Sequence, residues 1–317
     1  MVQELIFPAQ GIVDFRPCVS TPLDSESVRI RTHISGIRHG EDLQILYDSP
    51  VRQRISYPYC PRCWGIGEIV EVGRDVNRFA VGDLVHGPMH HGEIQILHQN
   101  RVYPHKWIKK EFSVFLDPGV VALRAIHRAA LRYGEVIAIF GMGTVGLMAL
   151  QYALLSGARE VIAIDPIQTR LDIARRLGAQ KYVLYADENQ ENLLFESSRI
   201  DAVIDFSGSD AALRRSIDCL VSGGKLVAAS FPYHSDILPS LSALCSGKGI
   251  DFIIPEAYYD EKREEETVFF SIEQKRVIVW PIITDVVPFQ EAPAVYSRMY
   301  ADPDRHIKVL LEYGSNT

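Results

Sequence analysis

The sequence predicts an α/β protein in which a β-rich module is followed by a doubly wound parallel sheet. Up to about residue 115, short alternating or apolar segments are separated by Gly, Pro and Asp, a pattern typical of strands and turns. From about residue 119, short apolar runs alternate with stretches of helical spacing, which is typical of β-α-β units in a parallel sheet. We therefore expect two domains, with a boundary near residue 118.

The bulk composition excludes several classes of protein. The 317 residues, of which 47% are hydrophobic and 23% charged, are enough for two domains with buried cores. A formal net charge of −7 excludes a basic face for nonspecific nucleic-acid binding. No apolar run is long enough to span a bilayer, and the N-terminus lacks the basic and apolar parts of a signal peptide. We expect a cytoplasmic protein with no nucleic-acid or membrane partner.

The stretch "VIAIFGMGTVGLMAL" carries the motif G-x-G-x-x-G, formed by Gly141, Gly143 and Gly146, between a buried-strand run and a helix. In that context the motif binds a dinucleotide. Its glycines permit a tight turn and a close approach of the backbone to a pyrophosphate, which the helix N-terminus then faces. The sequence therefore predicts a Rossmann domain.

Asp165 ends the next apolar run, "VIAID", where an acid accepts hydrogen bonds from a ribose 2′-hydroxyl. Because its charge repels a 2′-phosphate, we expect NAD(H) rather than NADP(H) as the cofactor. Arg170 follows shortly after, and we expect it on the next helix. The cofactor-binding residues predicted in this domain are Gly141, Gly143, Thr144, Val145, Gly146, Asp165, Pro166, Arg170 and Ser207.

A second candidate site is the charged stretch "SGIRHGEDLQ", in which Arg38, His39, Glu41 and Asp42 surround one glycine. Such a cluster is compatible with a solvated turn, a metal site or a proton-handling site. The pattern by itself does not choose among these three.

With a β-rich module followed by a nucleotide-binding module and a short returning tail, the chain resembles the medium-chain dehydrogenase/reductase superfamily. Within it, the chain resembles the zinc alcohol dehydrogenase group in particular. The segment "GIGEIVEVGRDVNRFAVGDLV" is similar to the family pattern "GxGxVxxVGxxVxxFxVGDxV". The segment "FGMGTVGLMALQYALLSGAREVIAIDPIQTRLDIARRLGA" is similar to the family's nucleotide-binding stretch. The segment "HIKVLLEY" is similar to its C-terminal strand, where Lys308 matches a basic position that contacts the cofactor pyrophosphate.

The resemblance implies a GroES-like β-rich catalytic domain over residues 1–118 and 257–317, and a Rossmann domain over residues 119–256. It implies an oxidoreductase that binds a small-molecule substrate in the cleft between the two domains. It also implies a homodimer formed through the nucleotide-binding domains. The lobe that holds four cysteines in many members is missing, so we expect no structural zinc.

The catalytic positions of the family are altered in this chain. Counting back from Asp42, the family segment "GxCGxD" becomes "GIRHGED", one residue longer, with His39 at the place of the cysteine ligand. The family segment "GHE" reads "RCW", with Cys63 at the histidine position, and Asp117 in "FLDPGVVAL" takes the third ligand position. Because all three residue types bind Zn²⁺, one interpretation is a zinc alcohol dehydrogenase that uses His39, Cys63 and Asp117.

The interpretation that we prefer needs no metal. "SGIRHGED" has the length and glycine spacing of the "SGISxGTE" segment in a zinc-poor branch, which includes enzymes resembling bacteriochlorophyllide hydroxyethyl dehydrogenase. There a side chain must do the work of zinc, and His39 suits an acid/base role because an imidazole pKa of about 6.5 is close to ambient pH. Glu41 or Asp42 would orient the imidazole, and Arg38 would steady the substrate or the cofactor phosphates. The structural alternatives are a hydrogen bond for Asp42 and a surface position for Arg38.

The sequence thus predicts an NAD(H)-dependent oxidoreductase that interconverts a secondary alcohol and a ketone, with His39 as acid/base and without catalytic zinc. The polar residues around His39 favour a hydroxylated substrate, such as a sugar, a cyclitol or a biosynthetic intermediate. Besides a zinc-dependent alcohol dehydrogenase, one alternative is a zinc-free quinone or enoyl reductase, which would prefer NADPH and not need His39. Another is a dinucleotide-binding protein without turnover.

Three further features have structural interpretations. Cys60 and Cys63 have the spacing of a metal-ligand or redox pair. However, the cysteines of the chain are odd in number and mostly scattered along the sequence, which favours free thiols. One of His90 and His91 is a candidate for lining the site, although we expect exposed loop histidines there. Trp64 is expected to fill the space of the altered ligand shell.

Overall fold

The computed structural model of the chain describes residues 2–18, 21–47, 55–105, 109–185, 199–230, 237–254 and 261–314. The chain divides into two compact units: unit 1 comprises Met1–Leu116 and Ile283–Thr317, and unit 2 comprises Asp117–Ile282. The first boundary falls where the sequence pattern changes, close to the expected residue 118.

The strands of the described residues are, in chain order, β1 (Gln3–Ala9), β2 (Ile12–Pro17), β3 (Ser27–Gly36), β4 (Arg62–Val72), β5 (Leu84–His90), β6 (Ile94–His98), β7 (Tyr103–Pro104), β8 (Val136–Phe140), β9 (Glu160–Asp165), β10 (Lys181–Leu184), β11 (Ile200–Asp205), β12 (Leu220–Ala228), β13 (Asp251–Ile253), β14 (Ile283–Pro288) and β15 (Lys308–Glu312). The helices are α1 (His39–Tyr47), α2 (Leu116–Ala129), α3 (Thr144–Leu155), α4 (Gln168–Arg176), α5 (Asp210–Cys219), α6 (Ile237–Lys248), α7 (Glu261–Glu273) and α8 (Ala292–Ala301). None of these helices combines the length and the apolar character needed to cross a membrane.

Unit 1 contains a seven-stranded sheet in the order β14-β15-β3-β4-β5-β7, in which β6 also pairs with β3. Neighbouring strands are antiparallel except for β14 and β15, which are parallel. In the register between β3 and β4, Ser35 lies opposite Gly65, and Gly36 lies opposite Trp64. Because side chains alternate along a strand, this register determines which of them face the same side of the sheet.

Two apolar clusters form the core of unit 1. The first lies on one side of the sheet and contains Val28, Ile30, Cys63, Ile69, Val85, Met89 and Val102. The second includes Ile45 and Leu46 of α1 and Tyr296 of α8, together with strand residues such as Phe7 and Leu311. Burial of one face of α1 fixes the helix, and the first residue of that helix is His39.

Unit 2 contains a six-stranded parallel sheet in the order β10-β9-β8-β11-β12-β13. All five residues of β8, Val136–Phe140, are buried, as expected for a parallel strand covered by helices on both faces. The strand order reverses between β8 and β11, and ligands of doubly wound sheets bind at the carboxyl ends of the strands at such a switch point. The α/β prediction of a β-rich module followed by a doubly wound sheet is confirmed.

The chain returns to unit 1 at Ile283, later than the expected residue 257, because α7 packs within unit 2. Glu264 of α7 is buried and accepts hydrogen bonds from the Arg124 guanidinium of α2, the shortest of which is 2.6 Å. Ser271 of α7 lies 3.0 Å from the Tyr152 hydroxyl of α3. These contacts join segments that are far apart in the sequence, so local pattern does not reveal them.

Candidate active site

The glycine-rich turn after β8 has the geometry of a dinucleotide site. Gly141 adopts a φ of +91°, which favours glycine, and its backbone N–H donates to the carbonyl of Ile164 at 2.8 Å. Gly143 is the N-cap of α3, and no side chain caps this helix terminus. An N-terminus of this kind presents backbone N–H groups and a positive dipole end, the features that bind phosphate.

The other two glycines of the motif have different steric roles. A Cβ on Gly146 would lie 1.8 Å from the carbonyl oxygen of Gly141, so only glycine allows α3 to approach the turn so closely. A Cβ on Gly143 would meet nothing within 4 Å, so the backbone there is open to a ligand. Close packing at one glycine and open space at the other fit a bound pyrophosphate.

Asp165, at the carboxyl end of β9, is 2% exposed and connects two turns. Its Oδ2 accepts from the backbone N–H of Met142 at 2.6 Å, and its Oδ1 accepts from that of Ile167 at 2.9 Å. Arg170 of α4, as expected on the next helix, places Nη1 3.9 Å from Oδ2. Asp165 therefore ties the glycine-rich turn after β8 to the turn after β9.

The remaining predicted cofactor residues lie on neighbouring turns of unit 2. Thr144 and Val145 open α3, and Pro166 is exposed between β9 and α4. The Ser207 backbone N–H, just after β11, donates to Oδ1 of the buried Asp205 at 2.7 Å. Asp205 is absent from the predicted cofactor-binding residues, although it ends "DAVID" as Asp165 ends "VIAID".

In unit 1, the charged stretch forms the beginning of α1, and its residues differ in environment. His39 is the first residue of the helix and is partly exposed. The exposed Glu41 is paired with Arg38, whose Nη1 lies 2.5 Å from Oε2. Asp42 is 1% exposed, and its Oδ2 accepts from the Tyr296 hydroxyl at 2.7 Å and from the Arg38 backbone N–H at 3.3 Å. Asp42 therefore anchors the helix start that carries His39.

Burial raises the pKa of Asp42 to about 7, even though the hydrogen bond from Tyr296 acts in the opposite direction. The charge of Glu41 raises the pKa further, and that of Arg38 lowers it. A carboxyl group with this pKa changes its protonation state near neutral pH. Since Asp42 holds the first turn of α1, its protonation changes the strength of that anchor.

The histidine pair at the end of β5 differs from the expectation of two exposed loop residues. His90 is exposed, whereas His91 is fully buried because β1 and β3 pack against the turn that carries it. Nδ1 of His91 lies 2.7 Å from Oγ of Ser35, which in turn lies 2.9 Å from the Tyr313 hydroxyl. Burial lowers the pKa of His91 to about 3, so the imidazole is neutral at physiological pH.

Lys308 is 4% exposed, and its Nζ donates to the carbonyl of Ile37 at 3.0 Å. A Cβ on Gly36 would lie 2.8 Å from Lys308 Cε, so the glycine makes room for this side chain. The structure therefore places the predicted pyrophosphate-binding lysine beside the strand that leads to His39.

The residues proposed for a zinc site do not fit the ion. Among the described residues, no three His, Cys, Asp or Glu side chains come together in a way that would hold a metal. Cys63 is a free thiol inside the first apolar cluster, and burial raises its pKa, whereas zinc binds the thiolate. Trp64 points to the other side of the sheet, where Nε1 donates to Nδ1 of His86 at 3.1 Å. Asp117 is in the first turn of α2, in unit 2.

Two family models match the chain. The first, the alcohol dehydrogenase GroES-like domain, matches residues 24–107. The second, zinc-binding dehydrogenase, matches residues 144–256. The expected succession of a GroES-like domain and a Rossmann domain is confirmed.

Curated relatives and solved structures support this assignment. The chain is 29% identical over 268 residues to D-guloside 3-dehydrogenase of Escherichia coli K12, covering 77% of this chain and 75% of the relative. It is 26% identical over 280 residues to L-threonine 3-dehydrogenase of Shewanella frigidimarina, covering 77% and 81%. The crystal structure of galactitol-1-phosphate dehydrogenase from Escherichia coli has the same fold, with a TM-score of 0.82 and 20% identity over 98% of this chain and 99% of that one.

The different roles of the two glycines predict opposite effects of the same substitution. Gly143→Ala should lower the melting temperature only slightly, since its φ of −73° suits alanine although alanine caps a helix less well than glycine, yet weaken NADH binding about tenfold or more. Gly146→Ala should destabilise the protein by about 1–3 kcal/mol or more through overpacking. Calorimetry and fluorescence titration with NADH measure the two effects. Gly247→Ala, at an open position on α6, is the control: it should leave NADH affinity unchanged and raise stability slightly rather than lower it. Unchanged NADH affinity in Gly143→Ala would contradict the assignment.

The environment of Asp42 predicts a pH-dependent stability. A carboxyl group with a raised pKa binds its proton more tightly in the folded state, so its contribution to the free energy of unfolding falls as pH rises from about 4 to about 7. Asp42→Asn removes this dependence. The free energy of unfolding of the variant, relative to that of the wild type, should therefore increase from about pH 4 to about pH 7 and stay constant at higher pH. Denaturant unfolding at several pH values measures this difference. Glu41→Gln, at an exposed carboxylate, is the control and should show no such trend relative to the wild type. If the stability of Asp42→Asn changed with pH in parallel with that of the wild type, the explanation would be refuted.

Proposed function

Since the chain belongs to the medium-chain dehydrogenase/reductase superfamily and is an oxidoreductase of the alcohol dehydrogenase type, we propose that it uses NAD(H) to interconvert a secondary alcohol and a ketone. The substrate is a polar small molecule. Two curated relatives are named for polar substrates, a guloside and threonine, which supports this choice.

The observation that carries the cofactor proposal is the position of Asp165 behind the glycine-rich turn. The carboxylate is buried at the end of β9 and tied to the backbone of Met142 within the motif. A negative charge fixed there repels a 2′-phosphate and accepts from a ribose hydroxyl. Arg170, whose guanidinium would attract such a phosphate, is instead near the carboxylate of Asp165.

The proposed mechanism assigns proton handling to a side chain of unit 1. When bound, NAD(H) accepts or donates the hydride. His39, which is partly exposed at the start of α1, takes the hydroxyl proton during oxidation and returns it during reduction, since imidazole is the side chain most often used for general acid–base catalysis. Arg38, which directly precedes α1, forms an ion pair with Glu41, and we assign its guanidinium the role of steadying a substrate oxygen.

A metal-free reaction is part of this proposal. The support comes from the donor set: Cys63 is a thiol kept neutral by its apolar surroundings, and Trp64 occupies the position of the family's acid. Neither group helps to bind a cation. We therefore assign no step to zinc.

The role of His39 predicts a loss of turnover without a loss of cofactor binding. His39→Ala should lower kcat by about 10²–10⁴-fold with NAD⁺ and a panel of polyols and secondary alcohols, since general acid–base catalysis contributes that much. NADH affinity and melting temperature should not change. His127→Ala, at an exposed histidine of α2, is the control.

The outcomes of this experiment separate the alternative functions. Full activity of His39→Ala together with a preference for NADPH would favour a quinone or enoyl reductase. Tight NADH binding by the wild type without turnover of any alcohol or ketone would favour a non-catalytic dinucleotide-binding protein. Either result would reject the proposed role of His39.

The position of Asp165 predicts a change of cofactor preference. Asp165→Ser should weaken NADH binding and shift the ratio of NADH to NADPH affinity about tenfold toward NADPH, because the repulsive charge is removed and Arg170 is released. Fluorescence titrations with both cofactors measure the ratio. Asp172→Asn, on the same helix as Arg170, is the control for lost negative charge. An unchanged ratio would show that Asp165 does not select the cofactor.

A further inference from the structure

Unit 2 contains a second buried aspartate at the carboxyl edge of its parallel sheet, and the proposed function assigns it no role. Asp205 ends β11, is 0% exposed, and accepts through Oδ1 from the backbone N–H of Ser207 at 2.7 Å. Asp165 ends β9, on the other side of β8, and likewise accepts from backbone N–H groups of neighbouring turns. The strand β8 therefore lies between two strands that each end in a buried carboxylate bound to turn backbone.

The turn held by Asp205 is in direct contact with the glycine-rich turn. The Phe206 backbone N–H donates to the carbonyl of Phe140 at 2.8 Å, which extends the pairing of β11 with β8. A Cβ on Gly141 would lie 2.9 Å from the carbonyl carbon of Phe206 and 2.9 Å from the backbone nitrogen of Ser207. The two turns thus pack backbone against backbone, so the Ser207 backbone forms a wall beside the glycine-rich turn.

The turn after β11 differs from the glycine-rich turn in what it offers a ligand. Oγ of Ser209 caps α5 by accepting from the Ala212 backbone N–H at 3.3 Å, and Asp210 adds a negative charge to the first turn of that helix. The N-terminus of α3, by contrast, has no side-chain cap. The exposed Ser207 is held through Oγ, which accepts from the Ser209 backbone N–H at 3.1 Å. A phosphate therefore suits α3, and an uncharged part of a ligand suits the turn at Ser207.

The strand order indicates which part of a dinucleotide this turn would meet. A doubly wound sheet consists of two mononucleotide-binding halves, and the dinucleotide crosses the switch point between them. In unit 2 the halves are β8-β9-β10 and β11-β12-β13, which meet where β8 and β11 are neighbours. Asp165, which is proposed to bind the adenosine ribose, belongs to the first half. The turn after β11 therefore belongs to the half that takes the nicotinamide nucleotide.

We propose that Asp205 is a positioning residue for the nicotinamide half of the cofactor. Its carboxylate holds the Ser207 backbone against the glycine-rich turn, and the turn so held forms the wall beside which the nicotinamide nucleotide lies. Asp205 acts through Ser207 and does not touch the cofactor. This inference rests on the proposed NAD(H) cofactor, and it adds a second buried carboxylate, with a separate task, to the one at Asp165.

Two ligands that share the adenosine half test the proposal. Asp205→Ala removes the acceptor of the Ser207 N–H and should weaken NADH binding about tenfold or more. AMP, which has no nicotinamide half, should bind with unchanged affinity. Asp205→Asn, whose amide oxygen accepts from the same N–H, should restore most of the NADH affinity. Fluorescence titration measures NADH binding, and calorimetric titration measures AMP binding. If Asp205→Ala does not fold, Asp205→Val, which suits a buried strand, replaces it.

Asp201, at the opposite end of β11, provides a matched control. Its Oδ2 accepts from the backbone N–H of Val136, at the start of β8, at 3.0 Å. Asp201→Ala should lower the melting temperature, as Asp205→Ala does, but leave both affinities unchanged, because ligands bind at the carboxyl ends of the strands. The proposal would be overturned by unchanged NADH affinity in Asp205→Ala, by an equal loss for NADH and AMP, or by an equal loss of NADH binding in Asp201→Ala.

Turnover separates this inference from the proposed function. If the wild type binds both ligands but oxidises no alcohol, while Asp205→Ala weakens NADH binding alone, the proposed function is rejected and the role of Asp205 is retained. If the wild type oxidises alcohols with NAD⁺ and Asp205→Ala keeps its NADH affinity, the role of Asp205 alone is rejected. A wild type that binds AMP but not NADH would reject both.

Discussion

The register between β3 and β4 is the constraint that positions Ser35, Cys63 and Trp64 in unit 1. It places Ser35 opposite Gly65, and a Cβ on Gly65 would lie 2.8 Å from the sulfur of Met89. The same register puts Cys63 in the apolar interior and Trp64 on the other side of the sheet. A slip of one residue would exchange the sides of the sheet on which these two side chains lie.

That constraint produces an interior of neutral polar groups beside a partly exposed charged turn. His91 and Cys63 are kept uncharged by burial, and the carboxyl of Asp42 titrates near neutral pH for the same reason. The ion pair of Arg38 and Glu41 remains near solvent. His39 lies at this boundary, at the first residue of α1. Acid–base chemistry by side chains is suited to such an arrangement.

The sequence predicted features that depend on neighbouring residues better than those that depend on distant contacts. The glycine turn and the strand ending at Asp165 follow from local spacing, and the two-domain fold is confirmed by the family models. The return to unit 1 at Ile283 depends on Arg124 and Glu264, 140 residues apart. The burial of His91 likewise depends on long-range packing, so its local sequence suggested an exposed loop.

The central claim is that a histidine side chain, not a metal, handles the proton in this member of the family. The most direct test is to measure the zinc content of the purified protein by inductively coupled plasma mass spectrometry. The protein is produced in zinc-supplemented medium and freed of loosely bound metal before the measurement. We predict far less than one zinc per chain, with alcohol oxidation retained in the presence of a chelator. About one zinc per chain, lost in both His39→Ala and Cys63→Ala, would contradict the account.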